Sequence, residues 1–362
     1  ATGGGSSSCH DPGERISFSH GAIRGHHKRV IGPVDKFGRG MRDLRISLTD
    51  RCNFRCRYCM PVEVFGPGYR FLPREDLLSF EEIVRMTRLL VPMGVEKVRL
   101  TGGEPLLRRG MEDLVAMLSS MEGVKDIALT TNGVLLAHHA EALALAGLGR
   151  VTVSLDALDP AVFARMNGVG AKVDRVLAGI NAAQAYGLRV KVNAVIQRGV
   201  NEGEVLPLAR WAKQNRIDLR YIEYMDVGET NGWKLDEVLS ASELIGILST
   251  EFKLAPRDPA YRREVALHWK HDDGSCEVGV IASVTRPFCR DCQRIRLSAD
   301  GKLFTCLFAA SGHDVRDMLR GGAGDDVIQA AIRGLWTIRE DRYSEERGIV
   351  HRPKAEMSYL GG

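Results

Sequence analysis

The stretch RISLTDRCNFRCRYCMP, residues 45–61, dominates the chemistry of this chain. It begins within an alternating apolar run, residues 44–49, whose period and β-branched content predict a strand. Cys52, Cys56 and Cys59 follow at the spacing C-x3-C-x2-C, so we expect three thiols on a loop at a strand's end. Thiolates are soft ligands for zinc or iron–sulfur clusters, and three of them leave one iron of a cubane cluster open.

With Tyr58 just before the last cysteine, this spacing resembles the radical S-adenosylmethionine (radical SAM) superfamily. In that superfamily the open iron chelates the amino and carboxylate groups of SAM, and the reduced cluster cleaves SAM to a 5′-deoxyadenosyl radical. The alternative is a zinc knuckle, although structural zinc sites favour paired C-x2-C units with four closing ligands.

Length and composition set the broad class. The 362 residues allow one large α/β domain with a smaller second one. The formal charge is only +4, so nothing demands a nucleic-acid partner, and no apolar run predicts a membrane span or signal peptide. Eight cysteines are too few for a disulfide scaffold, and six fall into two compact groups. This usage indicates metal binding in a reducing, cytoplasmic setting.

From residue 44 onward, short apolar strands alternate with amphipathic helices. Strands are expected at 44–49, 97–101, 126–130, 150–155, 189–196 and 218–224. Helices are expected between them at 80–91, 111–121, 136–146, 173–186 and 203–214. Six consecutive βα units predict a parallel sheet with right-handed crossovers, curved into an open or full barrel. We therefore expect function at the carboxyl ends of the strands.

Polar residues occupy those predicted strand ends. They are Gly102-Gly103-Glu104-Pro105, Thr130 to Gly133, Ser154, Asp156, Lys191, Asn193, Arg220, Glu223 and, with them, Met225. Polar groups are costly to bury unless they are paired or face a ligand, so the set predicts a common pocket. Satisfied core hydrogen bonds are the alternative for any one of them. Paired glycines let a ligand approach the backbone and free its N–H groups, although a tight turn explains them equally well.

Past about residue 230 the βα rhythm stops and a second cysteine group appears. Residues 264–284 are predicted as strands, and Cys289, Cys292 and Cys306 follow at C-x2-C-x13-C. Asp300-Gly301 predicts a hairpin that folds Cys306 back toward the other two cysteines. A zinc site is the alternative here. Its conceivable fourth ligands are Cys276, His271 and His313.

Arg294 and Arg296 lie two residues apart on one predicted strand beside this group, and therefore on the same face. Two guanidinium groups on one face suit a phosphate-bearing ligand, and an exposed basic strand is the alternative. Residues 312–335 are predicted as helices, and the chain finishes in Gly361-Gly362.

Together these features resemble the GTP 3′,8-cyclase (MoaA) family, which starts molybdenum-cofactor (molybdopterin) biosynthesis. The resemblance runs from Phe37-Gly38-Arg39 to Gly362 and rests on both cysteine groups, the Arg-x-Arg strand and the terminal Gly-Gly. It implies an α/β fold: an incomplete (βα)6 TIM-like radical SAM barrel over residues 37–228, preceded by a flexible leader over 1–36. A C-terminal α+β domain over 229–362 would close the barrel and carry a second [4Fe-4S] cluster.

The resemblance also implies a role for each matching residue. Cys52, Cys56 and Cys59 would hold the SAM cluster. The second cluster would be held by Cys289, Cys292 and Cys306, and its open iron would bind the guanine of GTP. The SAM contacts would be Tyr58, Gly103, Ser154 and Met225. The GTP contacts would be Arg45, Arg99, Thr130, Lys191, Arg294 and Arg296, with Lys97 and Arg220 as further phosphate-site residues.

By the same resemblance, hydrogen abstraction from C3′ of GTP and attack of the sugar radical on C8 would give 3′,8-cyclo-7,8-dihydro-GTP. Basic side chains would neutralise the triphosphate and orient the ribose. The Gly-Gly tail would reach into the active site along a path too narrow for side chains. A homodimer, an electron donor and delivery of product to cyclic pyranopterin monophosphate synthase are also implied. Gln293 replaces the family's usual Asn, which should alter hydrogen bonding more than ligation.

Two other function classes compete with this interpretation. A radical SAM enzyme acting on a peptide would usually bring further cysteines for its auxiliary clusters, and only Cys276 is available here. A non-catalytic zinc or electron-transfer module is the other, and one zinc without iron would support it.

Overall fold

The computed structural model describes residues 32–259, 264–348 and 352–362. Most of the leader predicted over residues 1–36, together with Cys9, lies outside the described residues. In the described part of the chain, no helix is both long and apolar enough to cross a membrane.

The described residues form one twelve-stranded sheet. The strands are β1 (Asp43–Ser47), β2 (Lys97–Thr101), β3 (Asp126–Thr131), β4 (Arg150–Ser154), β5 (Arg189–Ile196), β6 (Asp218–Glu223), β7 (Leu254–Arg257), β8 (Leu267–His271), β9 (Glu277–Ile281), β10 (Arg294–Leu297), β11 (Lys302–Phe304) and β12 (His313–Asp314). The six strands predicted up to residue 224 are all confirmed, with bounds that differ by at most two residues.

Helices cover this sheet. They are α1 (Phe80–Leu90), α2 (Met111–Ser119), α3 (Leu136–Leu145), α4 (Pro160–Asn167), α5 (Val173–Ala185), α6 (Val205–Gln214), α7 (Ala241–Ser249), α8 (Arg316–Arg320), α9 (Asp325–Thr337), α10 (Tyr343–Glu346) and α11 (Met357–Leu360). The five predicted βα helices are confirmed within two residues. Local signals explain their bounds: α1 begins where Ser79 and Glu82 form a reciprocal capping box.

The sheet order is β12-β11-β10-β1-β2-β3-β4-β5-β6-β9-β8-β7. Strands β1 to β6 are parallel neighbours in chain order, which confirms the predicted βα units and an open barrel. The C-terminal part contributes to both flanks, because β10 pairs in parallel with β1 and β9 pairs in parallel with β6. One sheet therefore runs through both halves of the chain, and the boundary at residue 228 remains a prediction.

Several elements differ from the sequence prediction, among them strand β7 and helices α10 and α11, which were not predicted. Helices α4 and α7 were not expected, although Asp159 caps α4 and a Ser240–Glu243 capping box starts α7. Helix α4 shares its connection with α5, where one helix was assumed, and α7 lies past residue 230, where no helix was predicted before residue 312. Residues 312–335 are not wholly helical, because His313–Asp314 pair with β11 as strand β12. The hairpin at Asp300-Gly301 is confirmed, since β10 and β11 pair in antiparallel fashion around it.

Candidate active site

The first cysteine group lies on the loop that follows β1, and Arg55 shapes that loop from within. Its guanidinium donates to the carbonyls of Phe65, Cys52 and Phe54 at 2.7–2.8 Å. Its backbone N–H donates to the carbonyl of Asn167 at 2.8 Å, which ties the loop to the end of α4. Three thiols are thus presented by a loop whose backbone is already held in place.

The thiols of Cys52, Cys56 and Cys59 are free and partly buried. Burial raises the pKa of Cys52 to about 11 and holds the pKa of Cys56 well above its ordinary value. The Phe54 N–H, 3.4 Å from the Cys52 sulfur, is placed to stabilise a thiolate. Three soft donors on one loop, with the Arg55 guanidinium close to Cys52, fit a bound iron–sulfur cluster, whose charge would replace the protons.

The Gly102-Gly103-Glu104 segment packs directly against this loop. The N–H of Gly103 donates to the Thr49 carbonyl at 2.7 Å, and the N–H of Glu104 donates to the Arg51 carbonyl at 2.8 Å. A Cβ on Gly103 would lie 2.2 Å from the Arg51 carbonyl oxygen. The Gly103 N–H is therefore used within the protein, and the glycines make room for the chain itself. A SAM contact by Gly103 remains a prediction.

Glu104 links the glycine segment to β3. Its buried carboxylate accepts hydrogen bonds from the Thr131 hydroxyl at 2.7 Å and from the Asn132 N–H at 2.8 Å. Burial raises the pKa of Glu104 to about 7 despite these donors. Asn132 in turn donates to the Asn53 side chain at 2.7 Å. Glu104 thereby positions a residue that holds the cysteine loop.

Tyr58 makes a second connection from the cysteine loop to the barrel. Its hydroxyl donates to Asp156 at 2.7 Å, and the other carboxylate oxygen of Asp156 accepts from the Val195 N–H at 2.9 Å. Burial raises the pKa of Asp156 to about 6. Tyr58 also lines a cleft together with Gln197 and Tyr224. Asp156 thus fixes the aromatic ring beside the last cysteine of the motif.

A separate cavity lies inside the partial barrel. The predicted ligand residues on its wall are Arg45, Arg99, Thr130, Arg294, Arg296, Lys97, Arg220, Met225 and the three cysteines Cys289, Cys292 and Cys306. The cavity reaches the amino ends of the strands, where Asp43, Lys97 and Arg150 line it. The cavity therefore extends beyond the carboxyl ends of the strands, where function is predicted.

Strand register creates a row of three guanidinium groups in this cavity. Arg296 on β10 is the cross-strand partner of Arg45 on β1, which in turn is the partner of Arg99 on β2. Like charges on adjacent strands repel each other. Burial and repulsion from Arg294 hold the pKa of Arg45 well below its usual value, and burial lowers that of Arg99 to about 10.

Several buried donors in the cavity lack protein partners among the described residues. They are Nε of Arg45, Nε of Arg99, and both Nε and Nη1 of Arg296. Buried polar groups are normally paired, and an unpaired buried donor costs roughly 1–3 kcal/mol. Such an arrangement of positive, unpaired donors is suited to a large anion.

The second cysteine group opens onto the same cavity. Cys289 and Cys292 flank a helical turn, and the β10–β11 hairpin brings Cys306 back to them. Arg39 donates to the Cys289 carbonyl at 2.5 Å, and Arg339 donates to the Cys292 carbonyl at 3.0 Å. Buried Asp35 binds both guanidinium groups. Three free thiols on such a rigid frame fit a cluster.

The environment of this group is electropositive. Burial works to raise the pKa of Cys292, but Arg294, Arg339 and Arg296 outweigh it and bring that pKa to about 7. Burial and Asp341 instead raise the pKa of Cys306 to about 12. One thiol of the group is therefore readily available as a thiolate ligand.

A zinc ion receives little support at this position. His271 packs its ring against Phe252 at 5.2 Å, beside Cys276 at the β8–β9 turn, and neither residue lines the cavity. His313 is exposed on β12. Across residues 32–259, 264–348 and 352–362, no three His, Cys, Asp or Glu side chains are placed to bind one metal ion. A single zinc needs that convergence, whereas a cubane spreads its thiolates over several irons.

Some predicted residues lie away from the cavity, and others were missed. Lys191 forms an ion pair with Asp218 at 2.8 Å and is not on the wall, while Ser154 ends β4. Glu223, expected as part of a pocket, is a satisfied core group that accepts from Ala241, Val284 and Thr285. Among the cavity residues that sequence reasoning missed are Arg42, Asp43, Arg150 and Ser283. They carry no motif signal, because they come from strand starts and a loop.

The C-terminal residues reach this cavity. Gly362 lines it, and its carbonyl lies 3.5 Å from the Thr101 hydroxyl. Gly361 has a φ of +73°, and a Cβ there would lie 2.3 Å from the Thr101 methyl carbon. The expected narrow path for the Gly-Gly tail is present, and only glycine fits it at residue 361.

Comparison with known proteins gives a consistent result. Residues 46–212 match the radical SAM superfamily, and residues 217–345 match the family described as Molybdenum Cofactor Synthesis C. The chain is 51% identical to the GTP 3′,8-cyclase of Acidothermus cellulolyticus over 357 residues, covering 91% of this chain and 98% of that protein. It is 47% identical to the GTP 3′,8-cyclase of Staphylococcus carnosus over 335 residues, covering 91% and 98%.

A solved structure shows the same fold at low identity. Streptococcus suis SuiB bound to S-adenosylmethionine superposes with a TM-score of 0.56 at 17% identity, covering 81% of this chain and 68% of that one. A likeness at this identity concerns the fold alone.

Proposed function

Because this chain belongs to the GTP 3′,8-cyclase family of radical SAM enzymes, we propose that its arginine-lined cavity holds GTP between two iron–sulfur clusters. The family catalyses the first step of molybdenum-cofactor biosynthesis, and the chain uses SAM and a [4Fe-4S] cluster as radical SAM enzymes do. We assign that cluster to Cys52, Cys56 and Cys59, whose free thiols lie on the rigid loop after β1. When bound, cluster and SAM supply the radical that removes a hydrogen atom from C3′ of GTP.

The observation that carries the substrate proposal is the set of buried, unpartnered donors on Arg45, Arg99 and Arg296. These positive groups are already ordered before any ligand arrives, so they neutralise a triphosphate without reorganisation. Thr130 accepts a hydrogen bond from Arg99 at 2.9 Å and fixes one of the guanidinium groups. Together they orient the nucleotide so that the sugar carbon and C8 of the base are held in reach of each other.

A second cluster at Cys289, Cys292 and Cys306 is supported by the donor set and by its frame. Three cysteines would leave one iron of a [4Fe-4S] cluster without a protein ligand, and we propose that the guanine of GTP would bind at that position. Arg294 and Arg296 lie on the strand between the cysteines and contribute to the same wall. The base is thus held at one end of the cavity and the phosphates along the arginine row.

The remaining assignments extend the same proposal. Tyr58, Gly103, Ser154 and Met225 would contact SAM, and Lys191 would join the GTP site if a ligand displaced it from Asp218. An electron donor must reduce the SAM cluster, and cyclic pyranopterin monophosphate synthase would receive the product. A homodimer and a cytoplasmic location complete the proposal.

The test is product analysis of anaerobically reconstituted protein with SAM, dithionite and GTP. We expect 5′-deoxyadenosine and 3′,8-cyclo-7,8-dihydro-GTP in equal amounts, both dependent on GTP. Deoxyadenosine without a nucleotide product would overturn the substrate proposal.

The second cluster is tested with Cys306→Ser, using Cys276→Ser as the matched control. Cys276 is also a buried free thiol but lies outside both groups. Cys306→Ser should lower the iron content from about eight to about four per chain and abolish the cyclised product, while Cys276→Ser should change neither. Full iron content and activity in Cys306→Ser would exclude the second cluster.

A further inference from the structure

Asp226 follows Met225 near the start of the loop that leaves β6, and its buried carboxylate contacts three side chains. It accepts hydrogen bonds from the Tyr343 hydroxyl at 2.6 Å and from Nε of Arg347 at 2.7 Å. The ammonium of Lys354 lies 3.1 Å from the carboxylate and 3.0 Å from the Asp226 carbonyl. The Asp226 carboxylate therefore binds two cations. The side chains of Asp226, Arg347 and Lys354 are each at most about a tenth exposed.

These partners come from different parts of the active site. Tyr343 begins α10, whose next residue, Ser344, lines the cavity beside the second cysteine group. Arg347 also donates to the carbonyl of Ser283, another cavity residue, at 2.9 Å. Lys354 belongs to the C-terminal tail, residues 352–362. Asp226, on the loop of residues 225–231 (the Met225 loop), is thus bonded both to the segment around α10 and to the tail.

Further contacts pin the tail to the same loop. Glu356 accepts hydrogen bonds from the Glu229 N–H at 3.1 Å and from the Thr230 hydroxyl at 3.0 Å. Met357 packs with Met225 against a small buried apolar cluster of Val227, Phe308 and Tyr343. The position of Gly362 in the cavity therefore depends on the conformation of residues 225–231.

We propose that Asp226 is a positioning residue, which latches the C-terminal tail onto the Met225 loop and so places Gly362 in the cavity. This inference rests on the proposed function in taking the cavity as the GTP site. Neutralising Asp226 would leave Arg347 and Lys354 as two buried cations without their counter-ion, and removing one partner from a buried charge pair is strongly destabilising. The tail would then leave its place. Among the described residues no hydrogen bond or ion pair joins Asp226 to the cysteine loop, although Lys354 and Glu356 of the tail line a pocket with Phe65 and Tyr69.

The latch also implies that SAM binding and docking of the C-terminal tail are coupled. A ligand that orders the Met225 loop must favour the docked tail, and the docked tail must favour that ligand by the same factor. We therefore expect SAM to slow the undocking of residues 352–362 through Asp226.

The experiment is hydrogen exchange of the full-length, cluster-loaded protein, with and without SAM. The variants are Asp226→Asn, Lys354→Met and Lys354→Arg, and Glu251→Gln serves as the control because it removes an exposed ion pair to Arg210. The tail amides of Leu360 and Gly361 are hydrogen-bonded to the carbonyls of Glu356 and Met357. Their exchange should accelerate roughly tenfold or more in Asp226→Asn and Lys354→Met, because a buried ion pair is broken.

Further readouts separate positioning from a general loss of structure. Lys354→Arg should restore slow exchange, and Glu251→Gln should match the wild type. SAM cleavage should persist in Lys354→Met while the yield of cyclised product per deoxyadenosine falls at least about fivefold, a loss of about 1 kcal/mol.

Unchanged tail exchange in both Asp226→Asn and Lys354→Met would overturn the latch, as would faster exchange with an unchanged product ratio. If Asp226→Asn does not fold, Lys354→Met decides alone. The exchange data do not depend on turnover. A wild-type protein that makes no product from GTP would contradict the proposed function, whereas the latch would still stand or fall on the tail exchange.

Discussion

Arg45, Arg99 and Arg296 of the central cavity carry buried guanidinium donors that have no hydrogen-bond partner among the described residues. Arg296 is 1% exposed, yet two of its donor atoms have no hydrogen-bond partner among the described residues. Burial lowers the pKa of Arg296 below its ordinary value. A buried arginine without a counter-ion lowers the free energy of unfolding, and a bound anion would offset that cost.

Replacing Arg296 by methionine should therefore have opposite effects on binding and on stability. GTP affinity should fall by roughly 1–3 kcal/mol, because a charge-assisted hydrogen bond is lost. The free energy of unfolding should rise by about 1 kcal/mol or more, because an unpaired buried charge is removed. Anaerobic titration calorimetry and urea unfolding measure the two effects.

Arg85→Met is the control for that prediction. Arg85 pairs with Asp325 at 2.8 Å and donates to the carbonyl of Ala323. Losing the Arg85–Asp325 ion pair should lower the free energy of unfolding slightly and leave GTP affinity unchanged. Equal GTP affinity in Arg296→Met and the wild type would show that Arg296 does not bind the nucleotide.

Glu104 should make the stability of the protein depend on pH. Its pKa in the folded protein is about 7, raised from 4.5 by burial, so the folded state binds a proton more tightly than the unfolded state does. Stability is then fully present below about pH 4.5 and falls as the pH rises to about 7. Urea unfolding of the metal-free protein at pH 5 and pH 7 should show a wild-type loss on the order of 2 kcal/mol relative to Glu104→Gln. Parallel pH profiles for the two proteins would contradict this assignment.

At the level of elements, the C-terminal tail is the segment whose path is most constrained. Tyr359 donates to Asp300 at 2.5 Å, next to the β10–β11 hairpin, and Ser358 is buried. Gly361 then turns with a positive φ against Thr101 and Gly102. The tail is therefore held between β2 and the hairpin before it enters the cavity.

Gly361→Ala should displace the tail by two separate effects. The new Cβ would overlap the Thr101 methyl group, and the positive φ is unfavourable for alanine. We expect at least about tenfold less cyclised product with little change in iron content. Gly322→Ala is the matched control, because Gly322 has a similar φ of +78° and nothing within 4 Å of the added Cβ. A similar loss of product in both variants would point to backbone strain alone.

At the scale of the whole molecule, the C-terminal strands flank the barrel sheet on both sides. The second cysteine group is held by side chains from distant segments, since Arg39 bonds Cys289 and Arg339 bonds Cys292. Asp35 near the start of the described chain binds Arg39 and also Arg339 after α9. Trp336 of α9 donates to the Arg39 carbonyl at 2.9 Å. The cluster frame is thus assembled only when both ends of the chain have folded.

Asp35→Asn should break this frame. Two buried guanidinium groups would lose their shared counter-ion, which should lower the free energy of unfolding by roughly 3–5 kcal/mol. Iron should fall from about eight to about four per chain, with loss at the second site only. Asp325→Asn, which removes an exposed pair to Arg85, should cost at most about 1 kcal/mol and keep the iron. Iron content and thermal unfolding decide between the outcomes.

Local patterns determined a large part of this protein from sequence. Apolar periodicity predicted β1 to β6 and five of their helices, because each pattern depends on neighbours within a few residues. The thiol spacings and the Arg-x-Arg strand likewise located both candidate cluster sites and the arginines beside them. The short helices α4 and α7 were missed although their caps were present, because one helix was assumed between β4 and β5 and no helix was predicted between β6 and residue 312.

Contacts between distant segments were decided only by the tertiary structure. The pairing of β10 with β1 aligns Arg296 with Arg45 and Arg99, and no local pattern encodes that register. Asp226 has no sequence signal either, since its partners lie more than a hundred residues away. Sequence patterns record which chemical groups are available and their local spacing. Which of those groups share a buried space depends on the packing of the whole chain, and that packing sets the charge and access of the site.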